Sequence, residues 1–363
     1  MASVRLKEIT KRYGKVVALD HLSLDVNDGE FVVMLGPSGC GKSTALYTIA
    51  GLERADEGEI YIGDRMVNEV EPKERDVALV FQNYALYPHM TAEQNIAFPL
   101  KMRRVGEAEV SSRVKRIAET LRIDHLLARR PAQMSGGEAQ RVALARAMVR
   151  EPVAFLMDEP LSNLDANLRL HMRAELKRLQ KELKATTIYV THDQAEAMTM
   201  GDRVAVISHG QLQQFGTPDQ IYSRPRNSFV ASFVGSPPMN LIEGELQLNG
   251  HQISFASNDL TLQLPELAGS ALRSETAPSK VSLGIRPEDL TTTAETWSIF
   301  AQGVVYVVEP LGSHSIVDVQ VGDTILKVQE GARYPHDIGD RVELRFRTEG
   351  LHVFRGTGGE AVF

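Results

Sequence analysis

Two patterns of apolar and polar residues divide the sequence at about residue 236. Before that point, short continuous apolar runs alternate with stretches in which apolar residues recur every three or four positions. The runs lie at 31–35, 77–81, 153–157, 186–190 and 204–207. Continuous runs are typical of parallel strands covered on both faces, and the longer period is typical of amphipathic helices. Residues 1–235 are therefore predicted to form an α/β domain.

Two of the helical stretches carry regular apolar stripes. The first consists of Val110, Val114, Ile117 and Leu121, and its pattern stops before Pro131. The second consists of Leu168, Met172, Leu176, Leu179 and Leu183. Arg, Lys and Glu occupy the other face of the second stretch, so both stripes are predicted to pack into the core.

Beyond the turn-rich junction GSPPMN, apolar and polar residues alternate with a period of two. In IEGELQLNGHQISF, Asn249 and Gly250 separate two alternating segments, which is typical of a β-hairpin with a type I′ turn. The segments GVVYVVEPLGSHSIVDVQV and DRVELRFRTEGLHVF continue the pattern. Residues 236–363 are therefore predicted to form an all-β barrel or sandwich.

Composition narrows the class of protein. The net charge of −7 gives no general basic field for nucleic acid, and no apolar run is long enough to span a bilayer. The N-terminus lacks the apolar core of a signal peptide, so none is expected. Cys40 is the single cysteine, which excludes an intrachain disulfide and is compatible with a reducing cytoplasm.

A phosphate-binding loop is the strongest local motif. The residues GPSGCGKST follow the run 31–35 and precede a predicted helix at 45–50, and they satisfy G-x-x-x-x-G-K-[ST]. Glycines let backbone N–H groups converge on phosphate oxygens, Lys42 adds a point charge, and Ser43 can ligate Mg²⁺. The predicted nucleotide-binding residues here are Gly36, Pro37, Ser38, Gly39, Cys40, Gly41, Lys42, Ser43 and Thr44.

Other polar residues end neighbouring apolar runs. Asp158, after the run 153–157, is placed to hold Mg²⁺, and Glu159 to accept a proton from the attacking water. His192 follows the run 186–190 closely and is predicted to contact a γ-phosphate, although an isolated histidine at a strand end is usually structural. Gln82 is predicted to complete the Mg²⁺ or water shell. Lys42, Glu159 and His192 are the predicted catalytic residues.

These parts and their order resemble the nucleotide-binding subunit of ABC transporters. MSGGEAQR resembles the signature motif of that family, so Ser135, Gly136 and Gly137 are expected to face the γ-phosphate of ATP held by the opposite subunit. SNLD, ending at Asp165, resembles the loop that crosses the dimer interface. Tyr13 matches the aromatic residue that stacks on adenine.

The resemblance covers the whole chain and is closest to the carbohydrate-importer branch, through FQNYALYPHMTAEQNIAFPL, GSPPMNLI, LGIRPEDL and VEPLGSHS. That branch implies a P-loop NTPase domain of ABC type, with an inserted helical subdomain at about 83–155, followed by an OB-like regulatory domain. Met134 and Glu138 depart from the usual Leu and Gln. Glu138 completes a capping box with Ser135, so its charge is expected to face backbone N–H groups rather than phosphate.

The resemblance implies an ATPase subunit that powers import of a sugar or related solute. It implies a homodimer binding ATP and Mg²⁺ at two composite sites, on the cytoplasmic face of the cell membrane. Two transmembrane permease subunits and an extracytoplasmic solute-binding protein would complete the complex, with residues 83–91 pressing on a helix of the permease. No nucleic acid is expected as a partner.

Two alternatives remain at this point. A soluble ABC ATPase acting on nucleic acid or ribosomes would usually carry two fused ATPase units, a coiled coil or basic extensions, none of which the sequence displays. A regulatory subunit that binds an inhibitor or other regulatory protein through the β domain is compatible with the importer.

Overall fold

The computed structural model describes residues 2–249, 252–264, 280–294, 296–356 and 359–362. It comprises two compact units, Met1–Asp219 and Gln220–Phe363. The second unit begins earlier than residue 236, where the sequence pattern changes. Arg286 of this unit donates from Nη1 to the Val234 carbonyl at 2.8 Å and from Nη2 to the Tyr222 carbonyl at 2.6 Å. These bonds tie residues before 236 to the β-rich part of the chain.

The first unit contains ten strands and six complete helices. Its strands are β1 (Val4–Tyr13), β2 (Val16–Val26), β3 (Phe31–Leu35), β4 (Glu57–Ile62), β5 (Arg65–Met66), β6 (Val77–Val80), β7 (Ala154–Asp158), β8 (Thr187–Thr191), β9 (Arg203–Ser208) and β10 (Gln211–Gly216). Its helices are α1 (Lys42–Ala50), α2 (Ala92–Met102), α3 (Glu107–Thr120), α4 (Gly136–Met148), α5 (Ala166–Leu183) and α6 (Gln194–Met200), and α7 (Pro218–Ser223) runs across the division.

A six-stranded sheet in the order β10-β9-β3-β8-β7-β6 forms the centre of this unit. Every pair in it is parallel except β9 with β10. All residues of β3, β7 and β8 are buried, as expected for strands covered on both faces. The five apolar runs are therefore confirmed as strands of one largely parallel sheet.

A second, antiparallel sheet in the order β2-β1-β4-β5 shares the core of this unit. The sequence analysis did not identify it. In β1 and β2 the buried residues alternate irregularly, and β1 shifts its register against β2 three times, between Leu6 and Ile9, Ile9 and Lys11, and Lys11 and Arg12. Such shifts interrupt the period-two pattern that would have revealed the strands.

Both predicted helical stripes occur, on α3 and α5. Val110, Val114 and Leu121 are buried, and Leu121 follows the last residue of α3. On α5, Met172, Leu176 and Leu179 are buried, but Leu183 at the helix end is 40% exposed. The expectation that Leu183 packs into the core was therefore wrong, because the helix ends there.

In its described residues, the second unit contains the helix α8 and two antiparallel five-stranded sheets. Its elements are α8 (Ser228–Phe233), β11 (Asn240–Asn249), β12 (Gln252–Ala256), β13 (Thr261–Gln263), β14 (Lys280–Ile285), β15 (Leu290–Thr291), β16 (Ser298–Pro310), β17 (His314–Val321), β18 (Thr324–Gly331), β19 (Arg341–Phe346) and β20 (Leu351–Arg355). The sheet orders are β13-β12-β11-β14-β20 and β15-β19-β16-β17-β18. One apolar cluster contains buried residues from both sheets.

The predicted hairpin is present as the antiparallel pair β11 and β12, in which Asn249 is opposite Gln252. Gly250, the second residue of the predicted turn, lies outside the described residues. Across the described part of the chain, no helix has the length and apolar character needed to cross a membrane.

Candidate nucleotide site

Three parts of the predicted site lie at one edge of the parallel sheet. The phosphate loop, residues 36–44, follows β3; Asp158 ends β7; and His192 follows β8. Because β3, β8 and β7 are adjacent and parallel, their carboxyl ends meet at the same edge. This is the edge at which open α/β sheets bind ligands.

The phosphate loop is closely packed against its own domain. A Cβ added to Gly36 would lie 2.1 Å from the Ile207 carbonyl oxygen, and one added to Gly41 would lie 2.3 Å from the Ala18 carbonyl oxygen. Gly41 also has φ +105° and immediately precedes α1. The helix begins at Lys42 rather than at the predicted Ala45, so Ser43 and Thr44 belong to its first turn.

Lys42 is buried at the base of this loop, at 5% exposure. Its Nζ donates to the carbonyl oxygens of Gly36 and Pro37, each at 2.8 Å, and lies 3.7 Å from Cys40 Sγ. Among the described residues, no carboxylate oxygen lies within 4.0 Å of Lys42 Nζ. A buried ammonium without a counter-charge is a suitable partner for an anion, so the loop fits a nucleotide phosphate.

Asp158 is held by two hydroxyl groups. Ser43 Oγ donates to Oδ1 at 2.9 Å, and the Tyr47 hydroxyl donates to Oδ2 at 2.6 Å. Burial of Tyr47, followed by its hydrogen bond to Asp158, raises the pKa of Tyr47 to about 12. The motif analysis missed Tyr47, although its position four residues after Ser43 places both side chains on one face of α1.

Glu159 and His192 form a direct pair. His192 Nδ1 lies 3.0 Å from Glu159 Oε2, and because a carboxylate only accepts, the imidazole nitrogen donates. This bond leaves Glu159 Oε1 and His192 Nε2 for other partners. Glu159 has φ +42°, a left-handed conformation uncommon for a residue with a side chain.

Gln82 and the loop after Glu159 are joined by hydrogen bonds. Gln82 Nε2 donates to Ser162 Oγ at 3.2 Å, and Ser162 Oγ donates to the Glu159 carbonyl at 2.9 Å. Asn163 Nδ2 donates to the Gln82 carbonyl at 3.0 Å. Since the amide nitrogen of Gln82 is engaged, its amide oxygen is the atom suited to a metal or water.

Arg169 joins two loops at this edge and was also missed. Its Nη2 donates to the carbonyls of Leu164 at 3.0 Å and Ser162 at 3.3 Å, and its Nη1 lies 3.5 Å from Asp193 Oδ2. Asp165 caps α5, because its Oδ1 accepts from the Leu168 N–H at 3.0 Å. The structure thus gives Asp165 a capping role, and its contact with nucleotide stays a prediction.

Tyr13 ends β1 and is 46% exposed. Its ring lies 5.2 Å from Lys11 Nζ, and its hydroxyl group is near Thr44 of the phosphate loop and Glu53. Partial burial and the Glu53 carboxylate raise the pKa of Tyr13. An exposed aromatic face beside the phosphate loop is suitable for stacking on a base.

The signature turn (Ser135, Gly136 and Gly137) starts α4 with a capping box. Glu138 Oε2 accepts from the Ser135 N–H at 2.7 Å, and Ser135 Oγ accepts from the Glu138 N–H at 3.4 Å. The expectation that the Glu138 charge faces backbone N–H groups is confirmed. The donation from the Ser135 N–H also lowers the pKa of Glu138.

The two glycines of this turn have different surroundings. Gly136 is exposed, and a Cβ there would lie 3.4 Å from Leu164 Cδ2, an ordinary contact. Gly137 is buried, and a Cβ there would lie 2.6 Å from Leu168 Cδ2. Gly137 therefore lets α4 pack closely against the Leu168 side chain of α5. The expectation that both glycines present backbone to an anion stays a prediction.

Metal binding at this edge would depend on mixed oxygen ligands. Within the described ranges, no group of three or more His, Cys, Asp or Glu residues is arranged to hold a metal ion. The hydroxyl of Ser43 and the carboxylate of Asp158 are hard oxygen donors, and Mg²⁺ usually binds through one or two carboxylates together with substrate phosphates and water. The residues present therefore fit Mg²⁺ bound with a nucleotide.

Comparison with known proteins identifies the family. A family model described as ABC transporter matches residues 19–162, a MalK OB fold domain model matches 235–290, and a TOBE domain model matches 283–354. The trehalose/maltose import ATP-binding protein MalK of Thermococcus litoralis is 49% identical, with 100% of each chain covered. The chain belongs to the ABC transporter family.

Two further similarities agree with this assignment. The sn-glycerol-3-phosphate import ATP-binding protein UgpC of Escherichia coli is 46% identical to this ABC protein, with 100% of each chain covered. A solved dimeric ATP-binding cassette in a post-hydrolysis state, bound to ADP and Pi, is 32% identical with a TM-score of 0.54. That match covers 59% of this chain and 98% of the other.

These similarities confirm the predicted fold class, an ABC-type P-loop domain followed by an OB-like domain. They also confirm the prediction of an ATP-binding ATPase subunit that powers an importer. Both named relatives are import subunits, which favours this function over an ABC ATPase acting on nucleic acid or ribosomes.

Proposed function

We propose that two copies of this chain enclose two ATP·Mg²⁺ at composite sites and drive import of a sugar or related solute. The phosphate loop of one copy and the signature turn of the other would contribute to each site. The observation that supports phosphate binding is the buried Lys42 ammonium, whose partners among the described residues are two carbonyl oxygens and a thiol.

Each residue at the sheet edge has a distinct role in this proposal. Lys42 and the loop N–H groups bind the phosphates, Tyr13 stacks on adenine, and Ser43, Asp158 and Gln82 hold Mg²⁺ directly or through water. Bound Mg²⁺ would supply charge neutralisation at the phosphates. The catalytic proton transfer is assigned to Glu159.

Glu159 acts as the general base in this scheme. Its Oε1 accepts a proton from the attacking water, while His192 holds Oε2 through the 3.0 Å bond. The same bond fixes the orientation of the imidazole ring, and in this orientation Nε2 would face the γ-phosphate. Proton acceptance and phosphate contact are thus assigned to separate atoms of one pair.

The exposure of Gly136 supports a site completed by a second copy. Its backbone lies at the positive end of α4, and the chain's own packing leaves room for a Cβ there. A partner's γ-phosphate would use that space. Asp165 and the preceding residues of SNLD would lie along the same interface.

The membrane partner would dock beside the Gln82 loop. A cavity of about 690 Å³ is lined by Ala85, Tyr87, Phe98, Met102, Arg146 and Arg150, among others. Arg146 Nη1 and Nη2 donate to the carbonyls of Ala85 at 2.7 Å and Tyr84 at 2.9 Å, which holds the segment between Gln82 and α2 against α4. A helix of a permease would press on residues 83–91. The resulting displacement of this segment would be transmitted to Gln82 and to the metal shell.

The complete complex would contain two permease subunits and an extracytoplasmic solute-binding protein. This chain would lie on the cytoplasmic face of the membrane, and its OB-like domain would be the surface for any regulatory protein. The relatives that import trehalose or maltose and sn-glycerol-3-phosphate support a carbohydrate or a phosphorylated polyol as the solute. ATP-dependent uptake of those solutes by vesicles containing the reconstituted complex would test this choice, and failure to transport any of them would refute it.

A mixed dimer tests the composite site. One Gly136→Asp subunit is combined with one Lys42→Ala subunit, and closure around trapped ATP is measured by size and by nucleotide stoichiometry. If the site crosses subunits, one site is intact and the other carries both lesions, so one nucleotide is retained. Each homodimer should fail to close. Complete loss of closure in the mixed dimer would contradict the proposal, because it would mean that each signature turn serves its own chain.

A further inference from the structure

The Asp158 carboxylate is held at both oxygens by residues of one helix. Ser43 Oγ donates to Oδ1 at 2.9 Å and the Tyr47 hydroxyl donates to Oδ2 at 2.6 Å. Ser43 and Tyr47 are four residues apart on α1, so one face of the helix carries both donors. Asp158 is only 5% exposed, so water has little access to replace either donor.

Tyr47 is held in place by its surroundings as well as by this bond. Its ring lies 6.5 Å from the Phe81 ring, at a tilt of 49°, and Phe81 directly precedes Gln82. The phenol therefore connects the carboxylate at the end of β7 with the segment that leads to Gln82. Tyr47 thus contacts the proposed metal-binding residue Asp158 and the residue before Gln82, whereas the motif assigns it no role.

We propose that Tyr47 is a positioning residue for the metal site and contributes to the choice of Mg²⁺. By donating to Oδ2, it fixes the orientation of the carboxylate, so that Oδ1 is the oxygen that faces Ser43 and the metal shell. This inference rests on the proposed role of Asp158 in holding Mg²⁺. In this role Tyr47 acts through Asp158, to which its hydroxyl donates.

One available oxygen suits Mg²⁺ better than Ca²⁺. Mg²⁺ requires near-octahedral geometry and commonly takes one oxygen from a carboxylate, whereas the larger Ca²⁺ accepts both oxygens of a carboxylate and more ligands. Removing the phenol hydroxyl frees Oδ2 and allows the carboxylate to turn. The geometry selected for Mg²⁺ should be lost, while binding through both oxygens becomes accessible to Ca²⁺.

Tyr47→Phe tests the proposal because it removes the hydroxyl and retains the ring against Phe81. Binding of Mn²⁺ to the full-length protein, with ADP kept below the protein concentration, is followed by the electron paramagnetic resonance signal of free Mn²⁺. Mg²⁺ and Ca²⁺ are then used as competitors. We expect the Kd for Mn²⁺ and Mg²⁺ to rise about tenfold, as for loss of other hydrogen bonds to metal ligands. The Kd for Ca²⁺ should change less, so the preference for Mg²⁺ falls.

Two control variants separate this role from other effects. Tyr61→Phe removes another phenol–carboxylate bond, from Tyr61 to Glu59 Oε2 at 2.9 Å on exposed side chains, and should leave all three metal affinities unchanged. Asp158→Asn should weaken Mn²⁺ binding at least as much as Tyr47→Phe. Metal-free ADP affinity should stay at the wild-type value in Tyr47→Phe, whereas its Tm should fall, because the buried Oδ2 of Asp158 loses its donor.

The possible results have distinct meanings. If Asp158→Asn weakens Mn²⁺ binding and Tyr47→Phe leaves it unchanged, the role of Tyr47 is overturned and the proposed metal site stays intact. If Asp158→Asn leaves Mn²⁺ affinity unchanged, Asp158 is not part of the metal shell. The proposed role of Tyr47 is then also overturned. An equal loss of Mn²⁺, Mg²⁺, Ca²⁺ and metal-free ADP binding in Tyr47→Phe would show a general packing role and would also overturn the inference.

Discussion

The phosphate loop and the signature turn are both rich in glycine, but the atoms that surround their glycines differ. A Cβ at Gly36 or Gly41 would lie 2.1 or 2.3 Å from a backbone carbonyl oxygen of the same domain. At Gly136 the nearest atom would be 3.4 Å away, at the end of the Leu164 side chain. The fold of this chain therefore excludes a side chain at Gly36 and Gly41 of the phosphate loop and tolerates one at Gly136.

This difference indicates which part of the assembly limits side-chain size at each glycine. Gly36 and Gly41 of the phosphate loop are required by neighbours in the same domain, so their constraint is complete within one copy of the chain. Gly136 is exposed and has space, so its small size needs a reason outside the chain. A γ-phosphate held by a second copy supplies that reason under the proposed function. Gly137 differs again, because Leu168 of α5 fills the position that its Cβ would occupy.

The largest effect is expected from Glu159→Gln, which alters the chemistry and leaves both turns unchanged. The substitution keeps size and hydrogen bonding but removes the base, so turnover should fall by roughly 10²- to 10⁴-fold. ATP should still bind, and the dimer should remain closed. Steady-state ATPase assays and nucleotide binding measure the two effects, and near wild-type turnover would show that Glu159 is not the base.

Gly136→Asp should prevent closure of the dimer and leave the monomer unaffected. A carboxylate within about 4 Å of a phosphate charge costs on the order of 4 kcal/mol at a partly exposed site, enough to abolish most of the closed dimer. Nucleotide binding by the monomer and its Tm should be unchanged. Gly136→Ala is the matched control, because a methyl group fits the monomer. Retained closure and ATPase activity in Gly136→Asp would mean that the turn only starts a helix.

Gly41→Ala should damage the phosphate loop already in the monomer. The added Cβ meets the Ala18 carbonyl oxygen at 2.3 Å, and the backbone has φ +105°, so we expect a loss of about 2–4 kcal/mol in stability. Nucleotide binding should be lost with it. Gly39→Ala is the control, since Gly39 has φ +77° but no atom within 4 Å of the added Cβ. Equal denaturation midpoints for the two variants would contradict the packing argument.

Gly137→Ala should have the smallest effect of these four. The Leu168 side chain is flexible and can move from the 2.6 Å contact, so overpacking of α4 against α5 should cost about 1–2 kcal/mol. The loss should appear in the denaturation midpoint of the monomer, before any dimer forms. The double variant Gly137→Ala with Leu168→Ala relieves the contact, so its loss in denaturation midpoint should be smaller than the sum of the losses of the two single variants. A loss equal to that sum would argue against this contact.

Sequence motifs located much of the site because they describe local order. A phosphate loop follows a strand and starts a helix, so Lys42 and Ser43 were assigned from their neighbours along the chain. Asp158 and His192 were assigned because parallel strands place their carboxyl ends together. The capping role of Glu138 followed from its spacing of three residues from Ser135.

Contacts between distant segments required the tertiary structure. The sequence by itself determined the strand runs, the phosphate loop, the capping box and the change to an all-β pattern, since each depends on neighbouring residues. Tertiary packing decided the partners of Tyr47, Arg169 and Gly137, and the pairing of β1 with β2 and β4. The physical reason is that local conformation depends on a few successive side chains, whereas a hydrogen bond or a steric contact depends on which remote atoms the fold brings within a few ångströms.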